Sequence, residues 1–409
     1  MWLYNLGISL YAGGIRLAAL WHGKARLWSE GRRNIFERME AAVRPSDRIV
    51  WVHAASLGEF EQARPIIERL RAEHPEYKIL LTFFSPSGYE IRKNYEGADY
   101  VFYLPADTPS NARRFLDIVH PEIAIFIKYE FWINLLSELR RRKVRSYIVS
   151  AIFRRNSVFF RPYGAMWRQA LETFDTLFVQ NVESKRLLSE IGFDNVVVAG
   201  DTRFDRVAQI AAAAQRVETI ERFRGGGRLF VAGSTWGPDE EILLPLVNAN
   251  PDVKFVIAPH EMDEGRIAHL MRDAKGGAVR YTQCDAATRF DDVQVLVLDT
   301  MGMLSSVYGS ATWAYVGGGF GVGIHNTLEA ATFGLPIAFG PNYGKFKEAR
   351  DMVSLGCAVS VRTAGELAAR FAPLRDDEET LRRASRTAKD YTARNQGATG
   401  IILRSIFNS

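Results

Sequence analysis

The chain has 409 residues, enough for two or three ordinary domains. Hydrophobic residues make up 47% and charged residues 24%, as in a typical globular protein, and the net charge of +5 suits an anionic partner such as a phosphate, a nucleotide or a lipid headgroup. This excess is too small by itself to indicate a nucleic-acid partner, and the only cysteines, Cys284 and Cys357, have neither disulfide-framework nor zinc-ligand spacing.

The N-terminal segment is strongly apolar for about twenty residues. Its uninterrupted apolar run stops at Arg16, which is short for a spanning helix of about 20 residues, and no convincing signal-peptide cleavage motif follows. Four residues recur at helical spacing in one narrow polar stripe: Asn5, Ser9, Gly13 and Arg16. The basic residues that follow could meet anionic lipid: His22, Lys24, Arg26, Arg32 and Arg33. Residues 1–35 are therefore predicted to form a membrane-associating helix and basic stretch, attached to the cytoplasmic face of a membrane. A core helix of the first domain is the alternative.

From residue 49 onward, apolar strands alternate with helical patterns, which predicts parallel sheets covered by helices. Strands are predicted at 49–53, 79–84, 100–104, 123–127, 144–149, 176–179 and 196–198, and again at 229–232, 255–258, 279–282, 295–298, 313–316, 337–339 and 358–361. The predicted organisation is two Rossmann-like, doubly wound domains with a cleft between them. The first covers residues 36–205 and the second 226–385, with a linker at 206–225 and a C-terminal helix at 386–409 that packs back toward the first domain.

The stretch from Ile49 to Arg64 reads as strand, tight loop and helix. In an open parallel sheet, ligands bind beyond the carboxyl ends of the strands, where this loop lies. His53 at the strand end and Glu59 at the helix start could therefore do chemistry. Alternatively, Glu59 is a first-turn carboxylate that only favours the helix dipole.

A glycine-rich stretch follows the strand that ends at Val316, with five glycines between Gly317 and Gly323. Glycines let the backbone approach a ligand closely, and a helix N-terminus near Asn326 would attract phosphate. The spacing is neither a dinucleotide fingerprint nor a P-loop. Glu329 could accept hydrogen bonds from ribose hydroxyls. A glycine-rich turn that merely packs closely is the alternative.

Other loops follow predicted strands and would lie at the same sheet edges. In the second half they are residues 233–236, 258–261 and 299–302. In the first half, Lys128 and Glu130 follow a strand, and a segment dense in arginine and aromatic residues begins at Arg154 and Arg155. Such a segment suits a phosphorylated amphiphile. No Asp-x-Asp pair occurs, which argues against a metal held on a diphosphate by such a motif.

These pieces together resemble the 3-deoxy-D-manno-octulosonic acid (Kdo) transferases of lipopolysaccharide synthesis over nearly the whole chain. The motifs that carry the resemblance are HAASLGE at 53–59, EFWIN at 130–134, GDTRFD at 200–205, GSTW at 233–236 and GIHNTLE at 323–329. They are similar to the family's HAxSxGE and ExWPN motifs, its interdomain GNxKFD and its donor-domain motifs.

The resemblance implies an α/β fold of the GT-B type, with an acceptor-binding first domain and a donor-binding second domain. It implies an inverting, metal-independent transfer of Kdo from CMP-Kdo to a lipid A precursor, lipid IVA, with no cofactor and with Glu59 as general base. The implied donor-binding residues are Ser234, Thr235, Pro259, His260, Gly302, Gly319, Asn326 and Glu329. The implied acceptor-side residues are His53, Ser56, Gly58, Lys128, Glu130, Arg154 and Arg155.

The sequence departs from the family pattern at two places. Ile133 stands where the proline of ExWPN is usual, and Pro259-His260-Glu261 stands where many members read PRHxER. The second departure removes an arginine, for which Arg266 is a candidate replacement. Two other functions stay open: a nucleotide-sugar epimerase with the same two-domain fold, and a non-catalytic, membrane-peripheral nucleotide-binding protein.

Overall fold

The computed structural model describes residues 1–407 and divides the chain into two compact units. The first unit holds Met1–Arg206 and the chain from Gln396 onward, and the second holds Val207–Asn395. The first unit ends at residue 206, and the first domain was predicted to end at 205. The second unit ends at residue 395, and the second domain was predicted to end at 385.

The first unit alternates strands and helices after three N-terminal helices. Its elements are α1 Trp2–Ala18, α2 Gly23–Gly31, α3 Ile35–Ala42, β1 Ile49–Ala54, α4 Leu57–Glu73, β2 Lys78–Phe83, α5 Pro86–Arg92, β3 Tyr100–Tyr103, α6 Pro109–Val119, β4 Ile123–Ile127, α7 Ile133–Arg142, β5 Arg145–Ala151, α8 Ala165–Leu171, β6 Thr176–Val179, α9 Val182–Ser189 and β7 Val196–Val198.

The second unit repeats this alternation, and its last helix is followed by a return to the first unit. The elements are α10 Arg203–Ala213, which crosses the division, α11 Glu218–Arg224, β8 Leu229–Thr235, α12 Gly237–Ala249, β9 Lys254–Pro259, α13 Glu264–Asp273, β10 Ala278–Arg280, β11 Val295–Val297, α14 Leu304–Tyr308, β12 Trp313–Val316, α15 Leu328–Thr332, β13 Ile337–Phe339, α16 Lys347–Leu355, β14 Ala358–Ser360, α17 Ala364–Asp376 and α18 Glu378–Arg394. The chain then returns to the first unit in α19 Ala398–Phe407.

Within residues 1–407 each unit contains one seven-stranded sheet, and every strand pair is parallel. The order is β3-β2-β1-β4-β5-β6-β7 in the first and β10-β11-β9-β8-β12-β13-β14 in the second. In both sheets the chain starts near the centre and reverses direction there, as in a doubly wound fold. The strands are continuous apolar runs because helices cover both faces, and each sheet separates two hydrophobic cores.

Helix α1 is attached to the first unit by a few polar contacts and exposes most of its apolar residues. The Tyr4 hydroxyl donates to Asp107 (2.6 Å), and the Asn134 side-chain amide donates to Asn5 (2.9 Å). Ala12 is the buried residue of α1, so this helix is not a core helix. Large apolar residues of α1 and the turn after it are exposed: Trp2, Leu3, Leu6, Leu10, Leu17, Leu20 and Trp21. None of the helices in residues 1–407 combines the length and apolarity needed to cross a membrane.

The segment predicted to be the linker consists largely of two helices. Residues 206–225 contain most of α10 and all of α11, whose Ile220 and Phe223 are buried in the second unit. The GDTRFD motif at 200–205 is bonded to the C-terminal segment. The Asp205 carboxylate accepts hydrogen bonds from the Gly397 and Thr399 backbone N–H groups at the start of α19 (2.6 and 2.7 Å). The predicted C-terminal helix is therefore two helices, α18 and α19. Only α19 lies in the first unit, where it packs against α4.

Candidate active site

Glu59 lies in the first turn of α4, directly beyond the carboxyl end of β1. Its carboxylate accepts a hydrogen bond from the Ser56 hydroxyl, and its other oxygen is 3.8 Å from the Lys128 ammonium group. Its side chain is 21% exposed. The carboxylate is thus oriented by a hydroxyl and an ammonium group, and the positive end of the α4 dipole further favours negative charge there.

The geometry at Glu59 differs from that of an ordinary helix cap. Ser56 and Glu59 have the spacing of a capping box, in which each side chain would bond the other residue's backbone N–H. In α4 the Ser56 side chain caps nothing and donates to Glu59 instead. At α12, by contrast, Asp239 accepts from the Trp236 backbone N–H (2.9 Å) as a cap should. The Glu59 carboxylate is therefore not part of a capping box, and its place in the first turn of α4 still fits the helix-dipole alternative.

A buried histidine connects two neighbouring strand ends. His53, the penultimate residue of β1, is fully buried. Its Nε2 is 2.9 Å from the Glu130 carboxylate and its Nδ1 is 2.8 Å from the Thr82 hydroxyl. The Trp51 indole N–H donates to the same hydroxyl (2.8 Å), and the Trp132 indole N–H donates to the same Glu130 oxygen (2.7 Å). If Thr82 donates to Nδ1, the Nε2–H tautomer of His53 donates to Glu130. Every polar group in this series of hydrogen bonds then has a partner. Glu130 is thereby held in one orientation.

The backbone between β4 and α7 is strained where Lys128 leaves the strand. Lys128 has φ +65°, and Ser150, near the end of β5, has φ +54°. Residues with side chains rarely adopt this conformation, and it concentrates at functional sites. It turns the chain sharply at two strand ends that lie beside each other in the sheet.

Not all of the other acceptor-side residues lie near Glu59 and Glu130. Gly58 is exposed, and a Cβ there would meet nothing closer than 3.8 Å. Arg154 lies near Tyr129: burial raises the pKa of the Tyr129 hydroxyl, and the Arg154 charge opposes that rise. Arg155 instead forms an exposed ion pair with Glu190 (2.9 Å).

In the second unit, three aromatic rings stack beyond the ends of β8, β9 and β12. The Trp236 and His260 rings are 4.7 Å apart with an angle of 29° between their planes, and the His260 and His325 rings are 4.3 Å apart with an angle of 24°. The Trp236 indole N–H donates to Nε2 of His325 (3.1 Å). Burial lowers the pKa of His325, and the neighbouring His260 lowers it further. His325 can therefore offer its Nδ1–H to a ligand.

Residues 234, 235 and 259 form a bulge where β8 meets β9. Ser234 has φ +54°, and the pairing slips there so that Thr235 faces Pro259. The Thr235 hydroxyl is buried and donates to Glu240 (2.8 Å). Glu240 also holds Arg266 in a short ion pair (2.6 Å). Arg266 is thus engaged by Glu240, which disfavours it as a replacement for the missing arginine.

The glycine-rich stretch combines close packing with an open loop. A Cβ on Gly317 would lie 2.2 Å from the Ser234 carbonyl oxygen, and one on Gly319 would lie 2.6 Å from the Gly340 backbone. Gly319 is therefore required by packing within the unit. Gly302 has φ +85°, and nothing lies within 4 Å of a Cβ placed there, so its loop is open.

Glu329 is oriented from two sides in the first turn of α15. The Ser305 hydroxyl donates to one carboxylate oxygen (2.9 Å) and the Asn326 side-chain amide donates to the other (3.0 Å). Helix α15 starts at Leu328, two residues after the start that the sequence analysis gave. Asn326 is exposed, and the carboxylate retains acceptor capacity for a hydroxyl.

Sequence reasoning missed two polar residues that organise these sites. Thr82 ends an apolar run at the carboxyl end of β2, beside β1, and Asp239 is fully buried and holds Tyr315 and the Gly318 backbone N–H (2.7 and 2.9 Å). The available signal was the placement of a polar residue at the end of a strand or start of a helix at the ligand-binding edge.

Comparison with known proteins identifies the family. A family model described as 3-deoxy-D-manno-octulosonic-acid transferase matches residues 32–206. The 3-deoxy-D-manno-octulosonic acid transferase of Haemophilus influenzae is 25% identical over 378 residues, covering 88% of this chain and 86% of that protein. The transferase of Bordetella pertussis is 29% identical over 377 residues, covering 87% and 86%. These matches support assignment of the chain to the Kdo transferase family, and with it a glycosyltransferase function.

The fold of the chain is shared with enzymes of other activities. The structure of UDP-GlcNAc 2-epimerase from Neisseria meningitidis superimposes with a TM-score of 0.62, covers 88% of this chain and 100% of that chain, and is 16% identical. At that identity the likeness shows the fold alone. It confirms the predicted GT-B class and does not favour epimerase chemistry.

Proposed function

We propose that this transferase moves Kdo from CMP-Kdo to a lipid A precursor, lipid IVA, with inversion and without a metal ion. The acceptor hydroxyl gives its proton to the Glu59 carboxylate while its oxygen forms a bond to the anomeric carbon of Kdo. The bond from that carbon to the phosphate oxygen breaks, and CMP leaves with the electron pair. Family membership supports the reaction class, and the carboxylate of Glu59 supports the role of the base.

The observation that carries this proposal is the orientation of Glu59. A general base must reach the proton that it removes and must point in one direction. The Ser56 hydroxyl and the Lys128 ammonium group orient the carboxylate from two sides, while a fifth of the side chain stays accessible. The neighbouring Glu130 has a different environment, because His53 and Trp132 occupy one of its oxygens. Glu130 is suited to hold an acceptor hydroxyl with its other oxygen.

The second unit offers groups that suit a nucleotide-linked sugar donor. The Trp236–His260–His325 stack presents a flat surface and a ring N–H, and Glu329 presents a carboxylate fixed by Asn326. A carboxylate suits ribose hydroxyls, and backbone N–H groups of a glycine-rich loop suit a phosphate. We assign CMP to this set, with Ser234, Pro259 and Gly302 on the loops around it.

We further propose that α1 attaches the enzyme to the cytoplasmic face of the inner membrane. Seven large apolar side chains of α1 and its following turn are exposed together, which is more than a soluble surface ordinarily carries. A helix of this kind lies in the interface with its apolar side in the acyl region. Vesicle flotation tests this: replacing Leu3, Leu10 and Leu17 by serine should abolish flotation of a folded protein.

The catalytic proposal is tested by product formation from CMP-Kdo and a tetraacylated lipid A precursor, measured by mass spectrometry. Glu59→Gln should lower turnover about 10²- to 10⁴-fold, the usual contribution of a positioned base. Glu61→Gln is the matched control, because it changes the same group on the same helix, where the carboxylate pairs with Arg92. Turnover should persist in EDTA, and the anomeric configuration of the product should be opposite to that of the donor.

Two outcomes would overturn the proposal. Equal turnover of Glu59→Gln and Glu61→Gln would remove Glu59 from the base role. Absence of sugar transfer to any lipid by a folded protein that binds CMP would overturn the reaction itself.

A further inference from the structure

The first unit contains a cavity of about 540 Å³ that lies apart from the Glu59 loop. Helices α1, α2 and α3 and the segment before α6 line it. We call it the arginine pocket and define it by Arg16, Trp28, Ser29, Arg32, Arg33 and Asn111. Its volume is sufficient for a phosphate with part of the group that carries it.

The pocket contains a largely buried cation that has no carboxylate partner. The Arg32 guanidinium donates to the Leu104, Phe84 and Trp28 carbonyl oxygens (2.8, 2.8 and 3.1 Å) and lies 3.9 Å from the Trp28 ring centroid. Burial lowers the pKa of Arg32 to about 9, so the group remains charged at neutral pH. Buried charges in proteins are ordinarily paired. Arg32 therefore gives this pocket a fixed positive potential.

Two further arginines of the pocket are exposed and unpaired. Among residues 1–407, no carboxylate lies within ion-pair distance of Arg16 or Arg33. Two carboxylates line the same pocket. Glu37 pairs with Arg114 and Glu30 forms no ion pair in residues 1–407, so the three arginines of the lining outnumber the one unpaired carboxylate. Most arginines elsewhere on this unit's surface are paired, as Arg48 is with Glu122. The pocket is thus lined by three guanidinium groups. Arg16 and Arg33 are exposed and have no carboxylate partner, while the donors of Arg32 are held by backbone carbonyl oxygens.

The pocket also contains buried polar atoms that lack partners. The indole N–H of Trp28, a residue only 5% exposed, and the Ser29 hydroxyl have no hydrogen-bond partner in the described chain. An unsatisfied buried polar group costs about 1–3 kcal/mol unless a ligand or water pairs with it. An anionic oxygen is a suitable partner for either donor.

Apolar and aromatic side chains connect the pocket to both the exposed side of α1 and the Glu59 loop. Tyr11 of α1 contacts the Trp28 ring (centroids 6.3 Å apart), and Trp28 contacts Phe84 (5.9 Å). Phe84 packs against Trp132 (4.6 Å), which bonds Glu130. A ligand that lies along this aromatic wall would have acyl chains on α1 and a polar end toward the candidate base.

We propose that the arginine pocket binds a phosphate group of the lipid acceptor, while the exposed apolar residues of α1 contact its acyl chains. This inference rests on the proposed transferase function and assigns the acceptor's anionic group to Arg16 and Arg33, with Arg32 as the fixed charge behind them. Two exposed arginines without carboxylate partners, the fixed charge of Arg32 and an unsatisfied indole N–H suit a phosphate better than they suit a neutral sugar.

The test uses the full chain and the double variant Arg16→Gln/Arg33→Gln. Transfer rates and equilibrium binding are measured with the phosphorylated acceptor and with the same lipid after enzymatic dephosphorylation. We expect the KM and the dissociation constant for the phosphorylated acceptor to rise about 10- to 100-fold, the effect of losing hydrogen bonds to a charged group. The KM for CMP-Kdo should stay unchanged, and the dephosphorylated lipid should not distinguish the variant from the wild type.

Lys24→Gln/Arg26→Gln is the matched control, because it removes two exposed cations of α2 that do not line the pocket. It should change these constants less than twofold. Equal losses in both double variants, or in both lipids, would overturn the proposal. A third result would also overturn it: the variant floats less well on anionic phospholipid vesicles, but the ratio of its dissociation constants for the two acceptors equals that of the wild type. That result would assign the arginines to bilayer headgroups. Wild-type protein without transferase activity would contradict the proposed function, whereas the binding ratio would still test the pocket.

Discussion

The substitution Thr82→Val is expected to destabilise the first unit and to disturb Glu130 without touching any ligand. Valine has the shape of threonine but lacks the hydroxyl that pairs with Trp51 and His53, and all three side chains are fully buried. The indole N–H would lose its partner outright. In the tautomer given above, Nδ1 of His53 is an acceptor and would lose its donor, while Nε2 would keep Glu130. Two such losses should cost about 2–4 kcal/mol in the free energy of unfolding.

Denaturant unfolding, followed by tryptophan fluorescence, measures this cost, with Thr82→Ser as the control that keeps the hydroxyl. The expected result is a lower midpoint for valine at an unchanged m-value, and a loss for serine of about 1 kcal/mol from the missing methyl group. Turnover should also fall for valine in conditions where the protein is folded, because nothing then fixes the imidazole that donates to Glu130. Equal stability of Thr82→Val and the wild type, or an equal loss in both variants, would refute the role of the hydroxyl.

Three further predictions follow from the geometry of the sites. Gly58→Ala should leave the free energy of unfolding unchanged or raise it by up to about 1 kcal/mol, since the new Cβ meets no close contact, but should raise the acceptor KM. Gly317→Ala should cost about 1–3 kcal/mol in thermal or denaturant unfolding because its Cβ would clash with a carbonyl oxygen, whereas Gly321→Ala, with 3.6 Å of space, should be nearly neutral. The pKa of His325 is lowered in the folded state, so the unfolded state binds more protons as pH falls below about 6.5. The free energy of unfolding of the wild type should therefore fall as the pH drops below that value. His325→Gln should reduce this pH dependence.

Each of these results has a contrary outcome. A destabilised Gly58→Ala protein would mean that the loop is packed more tightly than the structure shows. Equal losses at Gly317 and Gly321 would contradict the contact with the Ser234 carbonyl. Identical pH profiles for the wild type and His325→Gln would mean that the Trp236–His260–His325 stack does not disfavour protonation.

The sequence by itself determined the architecture and the position of the loops. Within residues 1–407, each of the fourteen predicted strands overlaps a strand of the structure, with ends that differ by at most three residues. The reason is local: a parallel strand covered on both faces must be a continuous apolar run, and a helix must follow it. The same reasoning located Glu59, because a polar residue directly after such a strand lies at the ligand-binding edge.

Only the tertiary structure decided which side chains are partners. His53, Thr82 and Glu130 come from the ends of β1, β2 and the loop after β4, and nothing in their sequence spacing joins them. Arginines were the least predictable residues, because a long charged side chain can reach several partners: Arg155 pairs with Glu190, and Arg266 with Glu240. Strand order sets which loops are neighbours, and packing then selects among the charges within reach. The apolar pattern along the chain therefore fixes where a site lies, whereas long-range contacts decide which of its polar groups remain available to a substrate.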